Sequence, residues 1–161
     1  MVFKIKKYND PVLRKKSQEV EVIDDKIRQI IDDLKETMKK YSGVGLAAPQ
    51  AGISKRIIVI NLEHIKQGVF ELVNPVIINK SKEKHIDEEG CLCFPDVFLK
   101  IKRPKEVEAK AKDRDNKEIS IKAKGLLARV LQHEIDHLDG ILFFDRLPLW
   151  QRIKFKTKNR A

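Results

Sequence analysis

Two histidines and a glutamate are spaced as metal ligands and a general base would be on a helix. Residues 132–138 have the sequence QHEIDHL, which contains the motif HExxH. At about 100° per residue, His133 and His137 fall on one side of a helix, with Glu134 at the border of that side. Histidines one turn apart can hold a divalent cation, while the intervening glutamate acts as a general base on water. The motif therefore indicates hydrolytic metal chemistry.

A catalytic site of this kind usually has three protein ligands, and HExxH supplies only two. Cys91 is the candidate for the third, because a thiolate binds zinc or ferrous iron well. Three ligands would leave one coordination position open for water. The alternatives are that Cys91 is a small buried apolar residue and that the histidines are core residues spaced by chance. A buried His-Glu-His face without a metal would, however, leave costly unpaired polar groups.

These residues must be positioned by a buried helix. Apolar residues flank the motif on two sides, so we predict a helix that begins near Gly125, ends near Gly140 and is covered on both sides. A second, amphipathic helix is predicted from Asp24 to Tyr41. Pro148 can start a last short helix, and we expect its apolar residues to dock against the protein and its basic residues to face outward. The docking residues are predicted to be Leu149, Trp150 and Ile153.

The remaining chain predicts strands and one unusual loop. Strands are expected at residues 57–60, 69–73 and 76–78, with Asn74-Pro75 breaking the run, and a hairpin is expected from residues 105–112 and 118–124. Residues 43–52 are rich in glycine and alanine. This segment either packs tightly beneath a sheet or lets a substrate backbone or a metal-bound group lie against it, with Gln50 as an amide donor. His64 and His85 are interpreted as surface residues.

The totals describe an ordinary globular chain with an excess of positive charge. With 161 residues, 42% of them apolar, we predict a single domain spanning residues 1–161. No signal peptide and no run of about 18 apolar residues is present, so we expect a cytoplasmic protein. The net charge is +10, and residues 146–161 contain six basic residues and no acidic one. Such a balance favours polyanionic partners.

Three motifs, in order, resemble the signature of bacterial peptide deformylases. They are GxGxAAxQ at residues 43–50, EGCL at residues 89–92 and HExDH at residues 133–137. The resemblance implies an α+β fold with antiparallel and mixed short sheets around the central HExxH helix, and a basic C-terminal helix. It also implies that the enzyme removes the N-formyl group from the initiator formyl-methionine of new polypeptides and releases formate.

The resemblance also assigns roles, motif by motif. The metal ligands would be Cys91, His133 and His137, and Glu134 would be the general base and acid. The side-chain amide of Gln50 and the backbone N–H of Leu92 would stabilise the oxyanion of the transition state. Residues expected to contact the substrate are Val44, Gly45, Glu89, Gly90, Leu126 and Val130. Arg129 is an unexpectedly charged neighbour of this pocket.

Cofactor and partners follow from the same resemblance. The cofactor would be one divalent metal, physiologically Fe²⁺, with Zn²⁺, Ni²⁺ or Co²⁺ as substitutes. The partners would be N-formylmethionyl nascent peptides and, through the basic tail, the ribosome surface; a solvated tail is the equally weighted alternative. Neither a membrane nor a sequence-specific nucleic acid is expected. One departure from the family pattern is Cys93, which stands where the motif usually has serine.

Two other functions compete with this interpretation. A zinc peptidase would share HExxH but would usually take its third ligand downstream, where Asp139 and Asp145 are the candidates. A basic RNA-binding protein with a structural metal would not need Glu134, and the chain has few aromatic residues for base stacking and no RNA-binding motif.

Overall fold

Two antiparallel sheets and three α-helices make up residues 1–160, the part of the chain that the computed structural model describes. The helices are α1 (Asp25–Lys40), α2 (Gly125–Leu138) and α3 (Leu149–Lys158). The strands are β1 (Gly45–Ala47), β2 (Ile57–Asn61), β3 (Val69–Lys80), β4 (Lys84–Cys91), β5 (Phe94–Pro104), β6 (Glu106–Lys112) and β7 (Glu118–Lys124). The large sheet has the order β1-β2-β3-β6-β7, and β4 pairs with β5 in a small sheet. The predicted α+β fold class is confirmed, and every pairing between these strands is antiparallel.

The large sheet is covered by a helix on each face. In β2, Ile57 and Val59 pack on the side of α1, whereas Ile58 and Ile60 pack on the side of α2. This alternation is the two-residue period of a strand that is buried on both faces. The side chain of Asp24 caps α1 by accepting a hydrogen bond from the backbone N–H of Ile27 at 3.0 Å. The amphipathic helix expected here therefore begins and ends within one residue of its predicted bounds.

Helix α2 is buried along most of its length, from Ala128 to Leu138. Its apolar residues, including Leu131 and Ile135, pack on the large sheet. Its polar residues, including Arg129 and His133, contact β4 and β5 instead. The helix therefore joins the two sheets and carries the predicted motif between them.

The break predicted at Asn74-Pro75 is an irregularity inside one long strand. β3 runs from Val69 to Lys80, and its register with β6 shifts between Val73 and Val76. Asn74 has φ +51°. Its side-chain oxygen accepts a hydrogen bond from the N–H of Val20, and its side-chain nitrogen donates one to the carbonyl of Val20, both at 2.9 Å. Asparagine tolerates this left-handed conformation better than most residues, so the chain bulges and then continues in the sheet.

The prediction for the last helix was right about its start and wrong about its docking face. α3 follows Pro148, but Leu149, Trp150 and Ile153 are 57%, 81% and 46% exposed. Phe155 packs against the protein instead, with its ring 5.3 Å from Phe94 and 5.0 Å from Phe144. No helix formed by residues 1–160 has the length and apolar character needed to cross a bilayer.

Candidate metal centre

The three predicted ligands come together from two elements. α2 carries His133 and His137, and β4 ends at Cys91. The Sγ of Cys91 lies 3.4 Å from Nε2 of His137, and one ligand atom from each of the three residues lies within 4.8 Å of the others. This sulfur and two imidazoles are a donor set that zinc and ferrous iron both accept.

A buried polar atom beside the cluster supports a metal there. Within residues 1–160, Oε2 of Glu134 is buried and has no hydrogen-bond partner. Buried polar atoms are nearly always paired in folded proteins. Nε2 of His137 faces the Cys91 sulfur, and solvent coordinated to a cation between these ligands would give Glu134 a partner, so the residues present suit the metal that the motif predicts.

The imidazole of His133 is oriented by Glu89. Its Nδ1 lies 2.9 Å from Oε1 of Glu89, which leaves Nε2 for a metal. Burial alone would raise the pKa of Glu89, but hydrogen bonds from His133 and Arg103 hold that pKa well below its usual range. The carboxylate therefore stays charged. Because the Glu89 side chain is 4% exposed and engaged in this way, only its backbone remains for the predicted substrate contact.

Two arginines share the Glu89 carboxylate. Arg103 donates to it from Nε at 2.6 Å and from Nη2 at 2.9 Å. Arg129 donates from Nη1 to Oε2 of Glu89 at 2.6 Å and to the carbonyl of Ile101 at 2.9 Å. The Arg129 guanidinium is thus buried and paired, which explains how a charged residue fits beside the pocket.

Asp136 of the motif extends the same network. It accepts hydrogen bonds from Arg103 at 2.9 Å and from Arg146 at 2.5 Å. Burial acts to raise the pKa of Asp136, but the hydrogen bond from Arg146 and the charge of Arg103 lower it. The network thereby fastens α2 to β5 and to the turn that precedes α3.

Glu134 stands in a less polar environment than Glu89. Burial raises the pKa of its carboxyl to about 7, in spite of the opposing charge of His133. A group with such a pKa can both take up and release a proton near neutral pH. A Cβ atom at Gly45 would lie 2.6 Å from Oε1 of Glu134 and 2.8 Å from Cγ1 of Val130. The absence of a side chain at Gly45 therefore leaves the space beside β1 that the Glu134 carboxylate occupies.

Gln50 is held with its amide group toward the cluster. It lies in a short 3-10 helix, Ala48–Ala51, directly after β1, and it is 1% exposed. The N–H of Ala47 donates to its Oε1 at 2.7 Å, and its Nε2 lies 3.7 Å from Sγ of Cys91. The glycine-alanine segment forms an edge strand and holds the Gln50 amide toward the cluster; contact of this segment with a substrate stays a prediction.

The predicted site residues line one groove of about 540 Å³. Its walls include Val44, Gly45, Gln50, Glu89, Gly90, Cys91, Leu92, Leu126, Val130, His133 and Glu134. His137 lies beneath it, 1% exposed. A larger cleft of about 1070 Å³ between α1 and β3 shares residues 42–44 with the groove but contains none of the cluster. The chemistry therefore belongs to the smaller groove.

The downstream ligands that a zinc peptidase would use lie elsewhere. Asp139 pairs with Arg56 at 2.8 Å, and Asp145 pairs with Arg14. Both carboxylates are engaged in ion pairs away from the cluster, which leaves Cys91 as the third donor.

Arg103 is the main residue that the sequence analysis missed. It follows Lys100-Ile-Lys, and a run of this composition is typical of a charged surface segment. Ile101 and Arg103 are two residues apart in β5 and are both buried. This period of two was the signal that could have placed Arg103 on the inner face of a strand.

A cysteine and two histidines beside a buried carboxylate, at the base of an open groove, define a metal-dependent hydrolase of the HExxH class. The family model described as polypeptide deformylase matches residues 2–152. The chain therefore belongs to the polypeptide deformylase family.

Individual relatives agree with this assignment. The chain is 46% identical to a peptide deformylase of Thermodesulfovibrio yellowstonii, over 98% of each chain. It is 49% identical to that of Caldicellulosiruptor bescii, over 89% of this chain and 84% of the relative. Among solved structures, peptide deformylase from Thermus thermophilus superposes with a TM-score of 0.93 at 41% identity, covering 100% of this chain and 95% of that one. The Ehrlichia chaffeensis enzyme in complex with actinonin gives a TM-score of 0.88 at 42% identity, covering 99% of both chains.

Proposed function

We propose that this protein is a peptide deformylase, which hydrolyses the N-formyl group of the initiator formyl-methionine on newly made polypeptides and releases formate. The observation that carries the proposal is the position of Glu134, whose buried carboxyl lies beside the Cys91, His133 and His137 cluster and whose Oε2 has no hydrogen-bond partner within residues 1–160. Membership of the polypeptide deformylase family supports the same reaction.

The residues in and around the cluster have different roles in the proposed reaction. Cys91, His133 and His137 would hold a divalent cation, which lowers the pKa of water and polarises a carbonyl oxygen. Glu134 takes the proton of the attacking water and passes it to the departing amine. The amide of Gln50 and the backbone N–H of Leu92 would donate to the oxyanion, and one such donor typically contributes about 3 kcal/mol to transition-state stability.

The peptide is bound as an extended chain. Among the described strands, β1 pairs only with β2, and β4 pairs only with β5, so each leaves one edge unpaired. The two walls of the groove offer backbone groups to a peptide between them. One wall contains Val44 and Gly45, and the other contains Glu89 and Gly90. Leu126 and Val130 form the apolar side of the pocket for the methionine side chain.

The physiological metal in this proposal is Fe²⁺. A thiolate ligand and two imidazoles suit ferrous iron, and Zn²⁺, Ni²⁺ or Co²⁺ could replace it. Protein purified without oxygen should contain iron and lose activity in air, whereas protein loaded with nickel should keep its activity. Elemental analysis together with formate release measures both; an anaerobic preparation that is active with zinc alone would contradict the choice of iron.

Glu134→Gln tests the reaction itself. The variant should bind metal as the wild type does but release formate from formyl-Met-Ala at least about 100-fold more slowly. Glu118→Gln, at an exposed position of β7 outside the groove, is the matched control and should keep full activity. Cleavage of internal peptide bonds in place of formate release would favour a peptidase. A Glu134→Gln variant with unchanged turnover would favour a structural metal.

We also propose that α3 brings the enzyme to the ribosome surface, near its nascent substrate, and hence that the enzyme acts in the cytoplasm. Lys154 and Lys158 of α3 are exposed, as are Trp150 and Arg160, which lies just beyond the helix. Changing the three basic residues to alanine should weaken co-sedimentation with ribosomes in a salt-dependent manner and spare hydrolysis of a small formyl-Met peptide. The control replaces three exposed lysines of the sheets, Lys102, Lys110 and Lys122; equal binding by both triple variants would refute the role of α3.

A further inference from the structure

An exposed aromatic side chain lies at the rim of the groove. Phe98 of β5 is 64% exposed and lines the groove together with Gly90 and Leu126. Neither metal binding nor the proposed proton transfers use this residue. Exposed apolar residues grouped at a binding groove usually mark a contact surface for a ligand.

Phe98 reaches the groove because its neighbour has no side chain. Gly90 of β4 is the direct partner of Phe98 in the small sheet. A Cβ atom at Gly90 would lie 2.8 Å from Cε1 of the Phe98 ring. The ring thus occupies the space that a side chain at position 90 would fill, and it extends across β4 toward the unpaired edge of that strand.

The ring lies on the outer face of the small sheet, the face turned away from α2. Glu89 points inward, where its carboxylate contacts His133 and Arg129 of α2. Neighbouring residues of a strand point to opposite faces, so Gly90 and its partner Phe98 lie on the outer face. Lys100 and Lys102 of β5, which share this face by the same alternation, are exposed.

A peptide paired with the edge of β4 must alternate in the same way. Its methionine side chain points inward to Leu126 and Val130, so the side chain of its second residue points outward. There it lies on the same face as the Phe98 ring, with Gly90 between them. Glu88 shares this face and lies opposite Lys100 across the small sheet, so the charges beside the ring offset one another.

We propose that Phe98 is a specificity-determining residue that contacts the side chain of the second residue of the formylated peptide, favouring apolar side chains over polar ones. This inference rests on the proposed deformylase reaction. Contact with the ring removes apolar surface of both groups from water, whereas a polar side chain gains nothing from that contact and loses hydration.

The test compares kcat/KM for formyl-Met-X-Ala peptides in which X is Leu, Phe, Ser or Asn. The wild type should prefer Leu and Phe to Ser and Asn by about fivefold to tenfold. Phe98→Ser should bring the Leu-to-Ser ratio close to one, whereas the conservative Phe98→Leu should keep most of the preference. A Leu-to-Ser ratio unchanged in Phe98→Ser would overturn the inference.

Ile86→Ser is the matched control, because Ile86 is also exposed on the outer face of β4. It lies four residues from Gly90, about 13 Å along the strand, and is not part of the groove wall. This variant should keep the wild-type ratio. Release of formate from no peptide would refute the proposed function, whereas equal release from all four would refute only the role of Phe98.

Discussion

At the scale of single residues, the site depends as much on side chains that are absent as on those that react. Gly45 leaves room for Glu134, and Gly90 leaves room for Phe98. Both glycines lie in motifs that the sequence analysis singled out, but the sequence alone could not tell close packing from backbone contact with a substrate. The structure shows that Gly45 makes close contact with α2.

Gly45→Ala should reduce activity by displacing the Glu134 carboxylate. The new methyl group would lie 2.6 Å from Oε1 of Glu134, so the carboxylate must move, and a shift of about 1 Å can cost about 100-fold in rate. We expect kcat for formate release to fall by about that factor, with metal content close to the wild type. Because the methyl group would also lie 2.8 Å from Cγ1 of Val130, the free energy of unfolding should fall by about 1–3 kcal/mol.

Gly68→Ala provides the opposite case. Gly68 has φ +87°, and beyond its two chain neighbours no atom lies within 4 Å of the place that a Cβ atom would take. Its alanine variant should lose stability through backbone strain and keep its catalytic rate. Equal activity of Gly45→Ala and the wild type would show that Glu134 does not need its observed position.

Cys93→Ser should keep activity and lessen sensitivity to oxidants. Cys93 is 1% exposed, and a hydrogen bond with Cys93, together with burial, raises the pKa of the Cys91 thiol. Serine restores the usual family motif and removes an oxidisable sulfur beside the ligand. Formate release after a series of peroxide doses measures the difference; loss of bound metal in the variant would contradict this expectation.

At the scale of elements, α2 is held to the small sheet by charges and to the large sheet by apolar packing. Glu89, Arg103 and Asp136 form the centre of the buried charge network, with side chains between 4% and 9% exposed. Removing one member of such a network leaves an uncompensated buried charge, which is more costly than the loss of a surface pair.

Arg103→Met should therefore lower the free energy of unfolding by about 3–5 kcal/mol. Lys105→Met is the control, since Lys105 and its partner Glu83 are 43% and 72% exposed and the loss should stay below about 1 kcal/mol. Urea unfolding of the metal-loaded proteins compares the two. A similar small loss in both variants would mean that the network is not required for stability.

The sequence predicted α1, α2 and the β6–β7 hairpin well, because each has a clear apolar period. It missed β4 and β5 as a hairpin, since the outer positions of these strands are charged and the inner ones include Glu89 and Arg103. The docking face of α3 was also wrong. Phe155 reaches a cluster of aromatic rings formed by residues distant in sequence, which no local pattern could indicate.

At the scale of the whole molecule, the metal ligands connect the two sheets. Cys91 ends a strand of the small sheet, and both histidines belong to the helix that covers the large one. A cation bound to all three links parts of the structure that are otherwise joined by the charge network. Binding to the folded chain alone must stabilise that chain.

Removal of the metal should lower the melting temperature of the whole protein in one transition. At a free metal concentration about 100 times Kd, the stabilisation is about 2.7 kcal/mol. Calorimetry with and without chelator measures the shift, and Cys91→Ala should melt at the same temperature in both conditions. A chelator effect of equal size in Cys91→Ala would show that the cation binds elsewhere.

The two open strand edges of the groove have a consequence for timing. A peptide can pair with a strand edge only while its own backbone N–H and carbonyl groups are free. A polypeptide whose first residues already belong to a helix or sheet has no such groups available for pairing. Under the proposed function, the enzyme can reach the formyl group only in the interval between synthesis of the polypeptide and folding of its N-terminal segment. A polypeptide whose N-terminus folds early should therefore retain its formyl group.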